Sequence, residues 1–298
     1  MYHGVDPHHP ELQSQIVTAI SNTIAEHEAQ QGKLHAYALV DGVYDKALGL
    51  QLWENSQQSD TGVVSLYGDS SISGYEEVSP FLIRLGKNNL PQLLAYGQGK
   101  PMLSFLQTPL SLTALQRHFA PFLQVHTPSD RLRFVIRFAD TLNTLNILET
   151  LSETQLEAFR FGFTAWHVIN RKGTLTTIAG TYVDAASYAA TEIGEANAID
   201  ITNRQYGRLV ADTEADTILC SLAEEAQQLI KGRKASVLYN MISNLLGEMT
   251  LRGINSEPER YALMMKAITF SDRTYALELL DQAQKIGVEA ALRRSSAP

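Results

Sequence analysis

One change of hydrophobic rhythm, near residue 200, constrains this chain more than any other feature. Before it, short β-like runs alternate with helical stretches; after it, the patterned stretches keep the helical period. HAYALVD (35–41) alternates and ends at an Asp-Gly turn, as a strand does. VVSLY (63–67), FLIRL (81–85), MLSFL (102–106), FLQVH (122–126) and LRFVIRF (132–138) are further strand candidates. Between them, 45–54, SLTALQRHFAPFL (111–123) and 140–150 are patterned as helices, and Ser152 with Gln155 matches a capping box. Ahead of the first strand, Leu12, Ile16, Ile20 and Ile24 form the apolar stripe of an amphipathic helix. FTAWHVI (163–169) and TLTTIAG (174–180) flank Arg171-Lys172-Gly173 and fit a hairpin, whereas 181–198 is Ala-rich and receives no assignment.

Beyond residue 200, Thr202 with Gln205 makes another capping box, and a helix follows through Leu209, Ile218, Leu222 and Ile230. Further helices are expected over 235–251, 258–269 and 273–286, with Gly253 and Gly287 as stops. The expected fold class is α+β. A mixed α/β lobe covers 1–200, with 1–10 as a flexible arm, and an all-α lobe covers 201–298. A chain of 298 residues suits two modest domains.

The formal charge of −8 argues against nucleic acid, because counterion release from phosphates needs many cations on one face. The densest basic group, Lys231, Arg233 and Lys234, suits a helix C-terminus. A lone cysteine, Cys220, permits no internal disulfide and no thiolate metal cluster, which fits a reducing compartment. No apolar run approaches the roughly 18 residues of a membrane span, so no membrane insertion is expected. The opening MYHGVDPHHPELQ lacks the charged and apolar regions of a secretory signal. The expected location is the cytoplasm.

The sharpest lead toward catalysis is GDSSISG (68–74), which fits the nucleophile block of SGNH-type serine hydrolases with Ser70 as nucleophile. Asp6 and His9 have the spacing of the activating pair, but they precede the serine where that family places them after it. Asp, Ser and Gly are turn formers, and a polar loop between strands is the simpler reading. His3, His8 and His9 have no carboxylate partner fixed by spacing. Gly97-Gln98-Gly99-Lys100 lacks the full phosphate-loop pattern and runs into Pro101. Asp41 and Asp140 stand at strand ends, where acids either catalyse or cap turns. The residues thus point to no catalytic set, no metal and no cofactor, and the expectation is a protein that is not an enzyme.

Several segments, taken in order, resemble the effector-adaptor chaperones of bacterial type VI secretion. They are YALVDGVYD (37–45), SLYGD (65–69), VSPFLIRL (78–85), SFLQTPLSLTALQRHF (104–119), VIRFAD (135–140) and FRFGFTAWHV (159–168). The resemblance covers roughly 35–170. It singles out Asp41, Pro80, Arg137 and Asp140 as motif residues, while Ala139 and Thr141-Leu142 depart from the usual pattern around the last acid. It implies a cytoplasmic protein that holds a secreted toxin effector and helps load it onto the secretion spike protein. In the helical lobe, Met241, Met249, Met264 and Met265 supply adaptable apolar surface, and Tyr239, Tyr261 and Tyr275 supply aromatic anchors for such a partner. The same side chains would equally serve to fill a helical core.

Overall fold

The computed structural model describes residues 3–28, 34–68, 72, 74–86, 89–189, 198–211, 213–270 and 272–295. Contacts divide the chain into two compact units, Val5–Ala211, and Asp212–Pro298 with Met1–Gly4. The composition changes near 200, but the units part between Ala211 and Asp212.

The first unit is built on strands β1 (His35–Asp41), β2 (Val63–Ser65), β3 (Pro80–Arg84), β4 (Leu103–Thr108), β5 (Gln124–His126), β6 (Arg133–Val135), β7 (Ala165–Ile169), β8 (Leu175–Ala179) and β9 (Ile199–Asp200). Its helices are α1 (Leu12–Glu28), α2 (Lys46–Ser56), α3 (Leu90–Tyr96), α4 (Leu112–Phe119), α5 (Thr144–Thr150), α6 (Glu153–Arg160), α7 (Ala185–Ala189) and α8 (Asn203–Ala211). Six strands form one sheet in the order β2-β3-β1-β4-β7-β8, with every neighbouring pair antiparallel.

Both faces of this sheet are covered. Ala38, Val40, Phe81, Leu103 and Phe105 face Leu12 and Ile16 of α1, Leu48 and Leu52 of α2, and Leu90, Leu93 and Leu94 of α3. Tyr37, Leu39, Leu82, Leu106 and Trp166 pack on the other side with Leu115 and Phe119 of α4, Ile147 of α5 and Phe159 of α6. Burial of a large apolar side chain contributes about 1.5–3 kcal/mol, so these two layers dominate the unit's stability. Coverage on both faces also explains why the central strands are buried almost throughout rather than on alternate residues. On the α4 side, Phe119, Phe138 and Phe159 meet with ring centroids 5.2–5.5 Å apart, a tilted and edge-on geometry that aromatic quadrupoles favour.

Close approach, rather than backbone freedom, explains Gly49. A Cβ there would lie 1.9 Å from the Glu77 carbonyl oxygen, so only glycine lets α2 meet the 76–78 turn.

The expected helix over 111–123 ends at Phe119 and tightens into a 3-10 turn over Ala120–Leu123, because Pro121 has no N–H to continue the ladder. That leaves β5 and β6 shorter than their sequence candidates. They form a hairpin, and β9 joins β5 in parallel, giving a second sheet in the order β6-β5-β9. Helix α3 was not anticipated. The hairpin of β7 and β8 and the capping boxes at Ser152 and Thr202 are present: Gln155 N–H donates to Ser152 Oγ, and Gln205 N–H donates to Thr202 Oγ1.

The second unit is wholly helical among its described residues: α9 (Glu214–Glu225), α10 (Gln227–Ile230), α11 (Ala235–Leu251), α12 (Glu257–Phe270), α13 (Arg273–Ile286) and α14 (Val288–Arg294). Leu219, Leu222, Leu238, Ile242, Leu263, Leu279 and Leu280 form its core. Arg260 on α12 ties the bundle together. Its Nη1 donates to both Glu214 carboxylate oxygens at 2.9 and 2.7 Å, and its Nε to the Ile254 carbonyl at 2.8 Å. The α+β expectation therefore matches the architecture, a mixed first region and a helical last one. The single helix expected through 209–230 is instead split, with α8 in the first unit and α9 and α10 in the second. Among the described residues no helix is long and apolar enough to cross a membrane.

Candidate functional site

Strand β1 ends on Asp41, where the chain must turn at Gly42. The Asp41 carboxylate caps that turn by accepting the Val43 N–H at 3.0 Å. The 3-10 turn that follows presents Tyr44, and Asp45 then caps α2 by accepting the Leu48 N–H and pairs with Lys100 at 2.8 Å. On the far side of the sequence, the chain leaving β6 carries Arg137 and turns at Asp140, whose Oδ1 accepts the Leu142 N–H at 3.0 Å. Thr144 steadies the same turn by donating to the Phe138 and Asp140 carbonyls.

These two turns meet. Arg137 Nη2 donates to Asp41 Oδ2 at 2.8 Å and lies 3.6 Å from Asp140 Oδ2. Its guanidinium carbon stands 5.2 Å from the Tyr44 ring centroid. The Tyr44 hydroxyl donates to Asp140 Oδ2 at 2.6 Å, and Asn143 Nδ2 donates to the same oxygen at 2.9 Å. Pro80 opposes Asp41 across the ladder of β1 and β3. It opens β3, a position where its missing N–H removes no interior bond. Beside it Ser79 shares a 2.7 Å hydrogen bond with Ser65, and Gln116 Nε2 donates to the Ser65 carbonyl at 2.9 Å. All four motif residues named from the sequence thus stand at one place.

The electrostatics are those of two buried acids sharing one base. Burial pushes the Asp41 carboxyl above its ordinary range, while Arg137 and the Val43 N–H pull it down. Burial raises Asp140 to about 6, opposed by Arg137 and by the Tyr44 hydroxyl. Tyr44 is raised as well, by burial first and then by Asp140. Burial works against the charge on Arg137, but Asp41, Tyr44 and Asp140 outweigh it and hold the guanidinium protonated more firmly than usual.

Arg137 keeps 34% of its side chain exposed, and its buried Nε makes no hydrogen bond. Each acid spends its lone pairs on the guanidinium, on backbone N–H groups or on Tyr44 and Asn143. The cluster is a clamp between two distant turns. Among the described residues no three His, Cys, Asp or Glu side chains are placed to hold a metal ion.

Ser70 lies outside the described residues, as do Ile24's side chain and 190–197, whereas the unassigned stretch before them carries the short helix α7. Asp6 and His9 are not part of a loose arm. Their N–H groups donate to the Arg171 and Gly173 carbonyls at 2.9 Å each, strapping 6–9 to the turn between β7 and β8. His9 Nδ1 accepts the Glu11 N–H at the start of α1.

In the helical unit the candidate partner residues divide. Met249 and Met264 are 0% exposed and belong to the core, which removes them from any surface patch. Tyr239, Met241, Tyr261, Met265 and Tyr275 are half-buried and pack against that core. The Tyr261 hydroxyl is held by Glu225 at 2.6 Å, and the Tyr275 ring lies 4.4 Å from that of Phe270. The apolar side chains that do face solvent here are Val237, Leu251, Phe270 and Ile286, none of which spacing had singled out.

A surface missed from the sequence lies on the second sheet. All of β6 is exposed, with Phe134 and Val135 at 47% and 44%, and Leu132 just before it is 55% exposed. The signal was present in the run RLRFVIRF, where arginines alternate with apolar residues, but 132–138 reads equally well as a half-buried strand.

A family model described as "Domain of unknown function (DUF4123)" matches residues 36–158. The matched stretch holds all four residues of the clamp and its Tyr44. No curated protein and no solved structure matches the chain.

Proposed function

We propose that this chain is a non-catalytic, cytoplasmic adaptor that binds a secreted effector of type VI secretion and helps load it onto the spike protein. The observation that carries the reading is the convergence of Asp41, Pro80, Arg137 and Asp140. The resemblance selected these residues from separate segments, and Asp41, Arg137 and Asp140 join in one cluster beside Pro80. The family model covers 36–158, which takes in every segment of the resemblance except the last, FRFGFTAWHV (159–168). Both acids and the Tyr44 hydroxyl are taken up in bonds within the cluster, which suits a structural joint better than a reactive centre.

The deciding experiment is a pull-down from the native bacterium with tagged full-length protein, quantified by mass spectrometry, beside an esterase assay on small acyl esters. Recovery of a toxin or spike subunit in near-equal amount, with no esterase activity, is the expected result. Recovery of neither, with hydrolysis that Ser70→Ala abolishes, would replace the adaptor reading with a hydrolase.

A further inference from the structure

We propose that α1 is a pH-sensitive cover of the large sheet, lifted when His167 beneath it takes up a proton. The proposal stands independently of the adaptor reading.

His167 stands on β7 opposite Phe105 of β4 and Thr177 of β8. Residues directly opposed in an antiparallel pair share a face, and Phe105 belongs to the layer under α1, so His167 faces that helix. Helix α1 packs on β4 and on β8, the two strands that flank β7. It begins beside the turn between β7 and β8, where the His9 N–H donates to the Gly173 carbonyl at 2.9 Å. By Ala19 it has reached Gln107 of β4, whose Nε2 donates to the Ala19 carbonyl at 3.4 Å. Gln107 opposes Ala165, so His167 lies between these two points, under the first turns of the helix.

His167 is 2% exposed. Its Nδ1 is hydrogen-bonded to Thr177 Oγ1 at 2.9 Å, while its Nε2 has no hydrogen bond. Protonation makes both ring nitrogens donors and adds a charge. The layer offers that charge no counterion: α1 from Leu12 to Asn22, β4, β7 and β8 carry no titratable side chain besides His167. Helix α3, which packs on α1, brings only Tyr96. Gln107 Oε1 also lacks a hydrogen bond, but an amide oxygen is neutral. The charged and titratable groups of the adjoining segments stand past Ile169, the last paired residue of β7. They are Asp6, His8, His9 and Glu11 before α1, and Arg171 and Lys172 in the turn. Burial accordingly holds the His167 imidazole below its ordinary value of 6.5.

An uncompensated buried cation is relieved by reaching water, and α1 is the element that can yield. Strands β4 and β8 are tied to β7 by backbone ladders. Helix α1 has no ladder. It is held by Leu12, Ile16 and Ile20 and by the long bond from Gln107. The Asp6 and His9 N–H groups keep its leading end fastened to the turn, so it opens on a tether rather than leaving. The closed form binds the proton less readily than the open one. Closure is therefore at full strength above pH 6.5 and weakens as pH falls below it, until the closed form itself is protonated.

The test is hydrogen–deuterium exchange with mass spectrometry on the full-length protein at pH 7.5 and 5.0, corrected for the intrinsic pH dependence of amide exchange. Protection over 12–22 should fall about tenfold between the two, while β1 and β4 keep theirs. His167→Gln and His167→Asn are never charged and keep an amide donor, so either should leave 12–22 equally protected at both pH values. Tryptophan fluorescence at pH 7.5 establishes that a variant is folded. Exchange of the imidazole C2 hydrogen, read in the parent from the peptide holding His167, gives the titration of that residue without any variant. Its midpoint should lie below 6.5.

The proposal is overturned if the parent keeps its protection at pH 5.0, or if a folded variant loses it as the parent does. Loss over β1 and β4 together with 12–22 would also overturn it, since the whole unit would then be unfolding. So would a His167 midpoint at 6.5 or above, which would mean that the proton is accommodated with α1 in place.

Discussion

Arg137 and Asp41 are 96 residues apart in the chain and 2.8 Å apart in space, and through this pair the turn after β1 is joined to the turn after β6. Neither turn is held by its own sequence alone. Each acid caps its turn with one oxygen and offers the other to the cluster. The large sheet and the β6 edge are thereby fixed relative to each other within one unit.

Removal of the base should be costly. In Arg137→Met the apolar stem remains, but two buried carboxylates lose their counter-charge. Stripping one partner from a buried pair costs about 3–5 kcal/mol, and the partial exposure of Arg137 argues for about 3. Both tryptophans, Trp53 and Trp166, lie in this unit, so urea unfolding followed by tryptophan fluorescence reports it directly. A loss below about 1 kcal/mol would mean that the pair is solvated and the clamp is not structural.

Asp140 gives the unit a pH dependence of defined sign. Its folded value of about 6 lies above the ordinary 3.8. The folded state takes up the proton before the unfolded chain does, so this group's contribution to stability rises as pH falls through about 6 and levels off below about 4. Between pH 7 and 5 the gain should be about 1 kcal/mol. Asp45, held below its ordinary value by Lys100, works in the opposite direction at lower pH. The difference between the parent and Asp140→Asn isolates the group: the parent should gain stability over that interval relative to the variant. Parallel curves would place the Asp140 carboxyl at its ordinary value.

Much of this fold was legible in the sequence because local rules governed it. The capping pairs Ser152–Gln155 and Thr202–Gln205 act over one helical turn, and Arg171-Lys172-Gly173 marks a tight hairpin. Helix α3 was written in the spacing of Leu90, Leu93 and Leu94, but at seven residues it was too short to stand out from a loop. The clamp was legible only as separate motif residues. No local period relates Asp41 to Arg137, and Tyr44 had no signal of its own. Burial of Met249 and Met264 was equally hidden, because a methionine on a helix reads the same whether its face turns inward or outward.

The end of the first unit supplies a sharper test. Composition suggests a cut near 200, but α8 docks on α5 and α6. Gln205 Nε2 donates to the Thr150 carbonyl at 3.0 Å and to Gln155 at 2.8 Å, and Arg208 pairs with Glu149 at 2.6 Å. Ile201 is buried in the same core. A chain ending at 211 should unfold cooperatively, whereas one ending at 200 should lose about 2 kcal/mol or more, the value of one buried isoleucine with its neighbouring bonds. Equal stability of the two would show that α8 is dispensable to the unit.

Adjacent methionines in the helical unit separate packing from binding. Met264 is fully buried, while Met265 is half-buried at its rim. Met264→Ala should open a cavity and cost about 2–5 kcal/mol, seen as a lower urea midpoint by circular dichroism. Met265→Ala removes only partly covered surface and should cost about 1 kcal/mol or less. If the helical unit chooses the partner, Met265→Ala and Met241→Ala should weaken capture in the pull-down while the folded state persists. Unchanged capture by the double variant would move partner choice away from this rim, to the exposed Val237, Leu251 and Phe270 or to the β6 edge of the first unit.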